Sequence, residues 1–343
     1  MHPHRCDVIV IGASAGGVEA LIELCRTLPG DIPASIFIVQ HMSPRGTTVL
    51  PQLLTRAGAL PVTVPQDGEA IRRSHVYLAP PDHHLLVRPG HTLIRRGPHE
   101  NRSRPSVDAL FRSAAIAYGP RTIGVVLSGL LDDGTDGLIA IKAAGGISVV
   151  QDPADATWAS MPLSALARDH VDHCVPMSRM SALLCRLARA PAGPRGELPA
   201  ETLAEARIAE QEVVAVPATA IEPPGKPSPL ACPECGGVLN QIPTEADNVR
   251  FRCQVGHAFT AEGLVEAQND ELERALAIAV RTHRDRMRLF QTMEATARDR
   301  NLPHAAERWA KAASESERLA NVLGHAIDSL RRLGEQNLAS APG

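Results

Sequence analysis

Val8-Ile9-Val10-Ile11-Gly12-Ala13-Ser14-Ala15-Gly16-Gly17-Val18 runs from four large aliphatic residues into small ones and then into a helical pattern. An uninterrupted aliphatic run rich in β-branched residues suits a strand buried on both faces of a parallel sheet. Its continuation fits G-x-S-x-G at a strand-to-helix elbow, where glycines allow the sharp turn and Ser14 Oγ stands free above the carboxyl ends of the strands. The N–H groups of Ala15, Gly16 and Gly17 open the helix without intrahelical partners and suit a developing oxyanion. Two other readings compete. The stretch differs from the dinucleotide fingerprint G-x-G-x-x-G mainly in its middle glycine, and a serine at this place is also an ordinary helix cap.

The neighbouring sequence extends the pattern. Ile36-Phe37-Ile38-Val39, Ile123-Gly124-Val125-Val126-Leu127 and Ile147-Ser148-Val149-Val150 read as further buried strands. Val18–Thr27, Val49–Ala57, Val107–Tyr118 and Gly137–Ala144 read as helices between them, which predicts an α/β fold with a doubly wound, mostly parallel sheet. Short runs within His75–Arg95, parted by Pro-Pro-Asp and Pro-Gly, read as hairpins at a sheet edge. The second strand then discriminates between the readings of Ser14. A dinucleotide fold wants Asp or Glu at its end, whereas this strand ends Val39-Gln40-His41-Met42, and His41 there can serve a serine on the adjacent strand as general base. A third member should be a carboxylate that orients His41. The strand at Ile123–Leu127 runs into Ser128-Gly129-Leu130-Leu131-Asp132-Asp133-Gly134-Thr135-Asp136-Gly137, and the residues alone do not choose among Asp132, Asp133 and Asp136.

Taken in order, these segments resemble the chemotaxis protein-glutamate methylesterases, the CheB catalytic domain family, over roughly Asp7 to Leu184. The carriers are Ile11–Gly17, Val39–Met42, Tyr77-Leu78-Ala79-Pro80-Pro81, Arg104-Pro105-Ser106-Val107-Asp108, Leu127–Gly134, Gln151-Asp152-Pro153 and Ser160-Met161-Pro162. The resemblance implies Ser14 as nucleophile, His41 as base and Asp133 as orienting acid, since the family usually reads Asn-Asp-Gly where this chain has Asp132-Asp133-Gly134. It implies hydrolysis of glutamate γ-methyl esters on chemoreceptors, with glutamine deamidation in some members, and no cofactor for catalysis. Oxyanion contacts are expected from the main chain at Ala15, Gly16 and Leu130. The family typically has Met-Gly at Leu130-Leu131 and often Thr at Ala15, departures that leave a main-chain donor in place. Only Met1–Cys6 precede the first strand, so the sequence is read as a stand-alone form without the receiver domain that gates the resembled enzymes.

Beyond this region the composition changes. Eight of the 28 prolines fall in Ala190–Leu230, read as a Pro-rich linker carrying a short helix at Glu201–Glu212. The expected organisation is a catalytic domain over 1–189, a linker over 190–230, a zinc-ribbon-like module over 231–262 and a helical hairpin over 263–335. Cys232, Cys235, Cys253 and His257 give C-x2-C-x17-C-x3-H, the spacing of a closed, structural Cys3His zinc site. Cys6, Cys25, Cys174 and Cys185 lie in apolar contexts and read as core residues. Leu264–Arg300 and His304–Leu333 are amphipathic, broken at Asn301-Leu302-Pro303, and should pair as an antiparallel hairpin that binds a signalling partner or a second copy. A linker of this kind predicts a mobile tether, a trailing C-terminal half and an uncovered catalytic face.

Charge and composition exclude other classes. Thirty-five basic residues against 38 acidic ones give a net charge of −3, too little field to attract nucleic acid. Nine aromatic residues in 343 leave no stacking platform for bases. No apolar run approaches a membrane span, and seven cysteines make no secreted disulfide framework, so a cytoplasmic protein is expected. The alternatives to an esterase are a nucleotide-binding oxidoreductase and a non-catalytic signalling scaffold.

Overall fold

In the computed structural model, residues 5–43, 49–168, 170–211, 223–243 and 249–339 are described. The aliphatic runs form a parallel sheet because their side chains alternate between two apolar layers. In β1 (Val8–Ala13), Ile9 and Ile11 face one core and Val8 and Val10 the other. Seven strands lie in the order β3 (Val62–Thr63), β4 (His75–Leu78), β2 (Ser35–Gln40), β1, β7 (Thr122–Val126), β8 (Ile147–Gln151), β9 (His173–Val175), all parallel.

Helices α1 (Gly17–Thr27), α2 (Leu50–Ala57) and α6 (Met177–Leu187) cover one face through Leu21, Leu24, Leu54 and Leu184. On the other face α3 (Val107–Tyr118), α4 (Thr135–Ala143) and α5 (Ser160–Arg168) bury Phe111, Leu138, Ile141 and Met161. The chain moves outward from β1 through β2 to one edge, then from β7 to the other. The crevice between β1 and β7 is therefore the topological switch point, where open α/β sheets bind ligands at their carboxyl ends.

One expectation about strands is corrected. Val76–Leu78 is not an edge hairpin but lies inside the parallel sheet, in register with Ile36–Ile38. The hairpin is made by β5 (His84–Arg88) and β6 (His91–Arg95), which form a two-stranded sheet of their own. Among the other cysteines, Cys6 and Cys25 are buried, Cys185 is half-buried and Cys174 is exposed, so Cys174 is not a core residue.

The chain divides into two compact units, Met1–Leu264 and Val265–Gly343. The first includes most of the segment read as a free linker. There α7 (Ala200–Ala209) buries Ala206, Ile208 and Ala209, and Glu205 is 3% exposed. Residues 212–222 of that segment lie outside the described residues. A four-stranded antiparallel sheet follows in the order β10 (Lys226–Ala231), β11 (Val238–Pro243), β12 (Val249–Cys253), β13 (Ala258–Thr260). Helix α8 (Ala261–Asp299) begins in the first unit. In the second, its continuation pairs antiparallel with α9 (Pro303–Ala339). Phe290 stacks on Trp309 and Arg331 reaches Glu273, while Val280, Ala297, Ala306, Ala313 and Ala320 are buried. No helix among the described residues is long and apolar enough to cross a membrane.

Candidate active site

Ser14 directly follows β1 and His41 directly follows β2. Ala13 and Gln40 are register partners, and the His41 N–H donates to Ala13 O at 3.0 Å, so the two residues sit side by side at the carboxyl edge. On the other side the Ser14 N–H donates to Ser128 O at 3.0 Å, beyond β7. Gly16 adopts a left-handed conformation (φ 70°) at the head of α1, which only glycine takes without strain. A Cβ on it would also lie 2.8 Å from Ser128 Oγ. Gln40, where a dinucleotide site needs an acid, donates its amide Nε2 to Ser14 O at 2.8 Å and His41 O at 3.0 Å. It holds the two loop carbonyls together and places an amide, not a carboxylate, at that strand end.

Of the three candidate acids, Asp133 is the one whose carboxylate faces His41, with Oδ2 2.8 Å from Nε2. An ionised carboxylate only accepts, so Nε2 presents its N–H to Asp133, and in the neutral ring the lone pair falls on Nδ1. The carboxylate is held tightly. Oδ2 also accepts from the Val107 N–H at 2.7 Å, and Oδ1 accepts from Asn101 Nδ2 at 2.9 Å, Ser106 Oγ at 3.0 Å and the Asp108 N–H at 3.1 Å. Three of these donors belong to the start of α3, whose exposed N–H groups favour negative charge. Gly12 makes this approach possible, since a Cβ there would meet Val107 Cγ1 at 2.2 Å. Burial opposes ionisation of Asp133, but the hydrogen bonds and charge of His41, with those from Val107 and Asn101, outweigh it and keep the carboxyl below its usual range.

The other two acids face elsewhere. Asp132 accepts from Arg168 Nη1 at 2.8 Å and Thr260 Oγ1 at 3.0 Å, and Asp136 pairs with Arg250 Nε at 3.0 Å. Burial, reinforced by Glu262 and Asp136 against the pull of Arg168, pushes Asp132 up to about 6. Behind them Asp108 accepts from the Gly134 and Gly137 N–H groups at 3.0 and 2.7 Å. Burial and the nearby Asp133 and Asp136 raise its carboxyl well above the usual range.

For an oxyanion the N–H groups of Ala15, Gly16 and Leu130 have no acceptor among the described residues, whereas Gly17 N–H is already used by Ser14 O at 2.9 Å. Gly17 therefore drops out of the donors expected from the helix start. Leu130 follows Gly129, where a Cβ would lie 2.9 Å from Ser14 Cβ. Leu131 takes φ 61°, a left-handed conformation at a position where the resembled family carries glycine. Sequence reasoning gave no role to Asn101, Ser106 or Trp158. Ser106 carried a signal, a serine just ahead of a helical pattern. Trp158, 48% exposed beside Gly16, and Asn101 in an irregular loop carried none.

The cysteine cluster is a separate centre. The ligand atoms of Cys232, Cys235, Cys253 and His257 lie within 4.8 Å of one another. A tetrahedral zinc with its usual bond lengths needs edges of roughly 3.8 Å between sulfurs and roughly 3.6 Å between sulfur and nitrogen. Cys235 and Cys253 Sγ are 3.7 Å apart, and His257 Nδ1 is 3.5 Å from Cys253 Sγ and 3.7 Å from Cys232 Sγ. The opposite nitrogen, Nε2, is 3.3 Å from Glu234, a carboxylate that fixes the ring as second-layer acids do in zinc proteins. The donor set fits a closed metal site.

Comparison with known proteins covers the α/β part. A Leptospira interrogans protein with protein-glutamate methylesterase and protein-glutamine glutaminase in its name is 38% identical over 182 residues, 53% of this chain and 94% of the relative. A Burkholderia lata protein-glutamate methylesterase/protein-glutamine glutaminase is 42% identical over 186 residues, 53% of this chain but only 51% of its own length. The crystal structure of the Thermotoga maritima CheB methylesterase catalytic domain superposes with a TM-score of 0.52 at 32% identity, covering 53% of this chain and 98% of that one. With the family's sequence profile matching residues 9–184, the strands and loops that carry Ser14, His41 and Asp133 all fall inside the shared region, and the chain belongs to the CheB methylesterase family.

Proposed function

We propose that this chain is a serine carboxylesterase that hydrolyses glutamate γ-methyl esters on chemoreceptor-like proteins, and that it deamidates glutamine side chains by the same route. The observation that carries the reading is the His41–Asp133 pair at 2.8 Å, next to a serine at the switch point of the sheet. Ser14 Oγ attacks the ester carbonyl while His41 Nδ1 takes its proton, and Asp133 stabilises the imidazolium. The oxyanion is received by the N–H groups of Ala15, Gly16 and Leu130. Collapse breaks the carbonyl–methoxy bond, His41 returns the proton, and methanol leaves. Water, deprotonated by His41, then releases the glutamate and restores Ser14. A glutamine side chain would follow the same sequence with ammonia as leaving group. The paired His and Asp and the unpaired main-chain donors favour this over a nucleotide-binding oxidoreductase or an inert scaffold.

Catalysis in this scheme uses side chains and main chain alone. The remaining assignments are part of the same reading. Cys232, Cys235, Cys253 and His257 hold a structural zinc, which leaves no open coordination position for substrate. The esterase occupies 1–189 and acts in the cytoplasm, and the helices over 263–335 recruit a signalling partner or a second copy. The test is methanol release from a peptide bearing a glutamate γ-methyl ester. The native chain should release it and Ser14→Ala should fall to background. Release by Ser14→Ala at the native rate would overturn the assignment.

A further inference from the structure

The ribbon formed by β10–β13 is built into the wall behind the paired carboxylate. Ala258, which directly follows His257, donates its N–H to His99 O at 3.1 Å and accepts the Asn101 N–H at 2.9 Å. This pairing fixes Asn101 in a left-handed conformation (φ 49°) and aims its amide inward. There Nδ2 donates to Asp133 Oδ1 at 2.9 Å and to Asp108 Oδ2 at 2.7 Å. Ion pairs on both sides lock the contact. Arg252, fully buried, lies 3.1 Å from both Glu100 and Glu205 and donates to Gly256 O at 2.8 Å. Arg250 reaches Glu205 at 2.7 Å and Asp136 at 3.0 Å, and Thr260 Oγ1 donates to Asp132 at 3.0 Å. Glu100 is also held by Arg112 of α3, the helix whose first residues bind Asp133. Asp132 and Asp136 flank Asp133, so the ribbon grips its loop directly on both sides.

We propose that the docked ribbon is a positioning element of the esterase, acting on Asp133 through Asn101, and that metal held by the Cys3His cluster maintains it. The inference rests on the reading of Ser14, His41 and Asp133 given above. Cys253 and His257 stand at the start and the end of the loop between β12 and β13, so they set where Ala258 stands. Without that anchor the Asn101 loop loses both main-chain bonds to Ala258, the one at His99 O and the one from the Asn101 N–H that orients the amide. Asp133 would lose the Asn101 donor and be held less firmly by the three donors at the start of α3, a partial effect and not the collapse that follows loss of the carboxylate. Asn101 is thus a positioning residue, acting on the substrate only through Asp133 and His41.

The experiment uses the full chain. Asn101→Gly keeps the left-handed backbone and deletes the amide, and one charge-assisted hydrogen bond corresponds to roughly a tenfold factor. The expected result is a fall in kcat of about tenfold with KM within about twofold. Stripping metal with a chelator should speed hydrogen exchange at the Val107 and Asp108 amides, and added Zn2+ should reverse it, while Ile9 and Ile36 in the sheet stay protected. A kcat for Asn101→Gly within about twofold of native would overturn the proposal. So would unchanged exchange at Val107 and Asp108 on stripping, or equal acceleration at Ile9 and Ile36, which would make the ribbon a general stabiliser only. Turnover by Ser14→Ala would instead sink the reading of the site, while the exchange measurement still reports on the coupling.

Discussion

Asp132, Asp133 and Asp136 share one short loop, yet their surroundings give them three different chemistries. Asp133 meets five donors and stays ionised. Asp136 faces Arg250. Asp132 is 1% exposed, faces one arginine and is pushed up to about 6 from an ordinary 3.8. A carboxyl raised on folding binds its proton more tightly in the native state, so this group makes stability fall as pH rises between those two values and leaves it level above them. Asp132→Asn keeps an acceptor for Thr260 and has nothing to ionise. The variant should match the native chain near pH 3.5 and gain on it through the window up to pH 6. Above that it should be roughly 2–3 kcal/mol more stable, the linkage of a carboxyl moved from 3.8 to about 6. Urea unfolding of both chains across this pH range checks the difference, and a variant equally stable or weaker at pH 7 would contradict it. The identity of the acid facing His41 was not legible from residue types, because three aspartates at a carboxyl end look alike. Family resemblance pointed to Asp133, and what distinguishes it physically is the start of α3, supplied from elsewhere in the chain.

Elements buried on both faces were legible for a physical reason. The runs at Val8, Ile36, Ile123 and Ile147 have no polar face to show, and only a sheet covered by helices on both sides accommodates them. Helix α3 was read with its observed limits, Val107–Tyr118, and the structure places Ser106 and Gly119 at its two ends. Short segments were harder. Val76–Leu78 and Leu85–Val87 are both brief apolar runs bounded by turn residues, and nothing local says that the first enters the parallel sheet while the second folds into a hairpin. The loop at Asn101 carries no periodicity and no motif. Its place in the site comes from Ala258, more than 150 residues later, a contact no local pattern encodes. Leu131 is the opposite case, a bulky residue held in a left-handed turn that its side chain resists.

Over the whole molecule the largest difference between sequence and structure is the ribbon, expected to trail on a mobile tether and instead part of the first compact unit. Prolines and few large apolar residues normally signal a solvated segment. Here the burial is carried by charge: Glu100, Glu205, Arg112, Arg250 and Arg252 are each at most 4% exposed. Sequence reasoning assigns such residues to solvent because isolated buried charges are prohibitively costly. They are tolerated when mutually paired. Burial works against the charge of Glu205, and Arg250, Arg252 and Arg112 outweigh it. Removing one member should therefore be severe. Glu205→Ala takes one carboxylate from each of two buried arginines and should destabilise the first unit by about 3–5 kcal/mol, seen as a lower urea midpoint. A loss under about 1 kcal/mol, the range of an exposed ion pair, would mean that this network does not hold the ribbon in solution.

An esterase of this design requires that Ser14 form a covalent bond to the substrate. The direct measurement is acid-quenched turnover of a glutamate γ-methyl ester peptide, followed by mass analysis of the intact chain and of its digest. The account predicts an adduct of peptide mass less methanol on the fragment containing Ser14. It should form with a matching burst of methanol and be absent from Ser14→Ala. Native turnover accompanied by an adduct on another residue, or sustained by the Ser14→Ala chain, would contradict it.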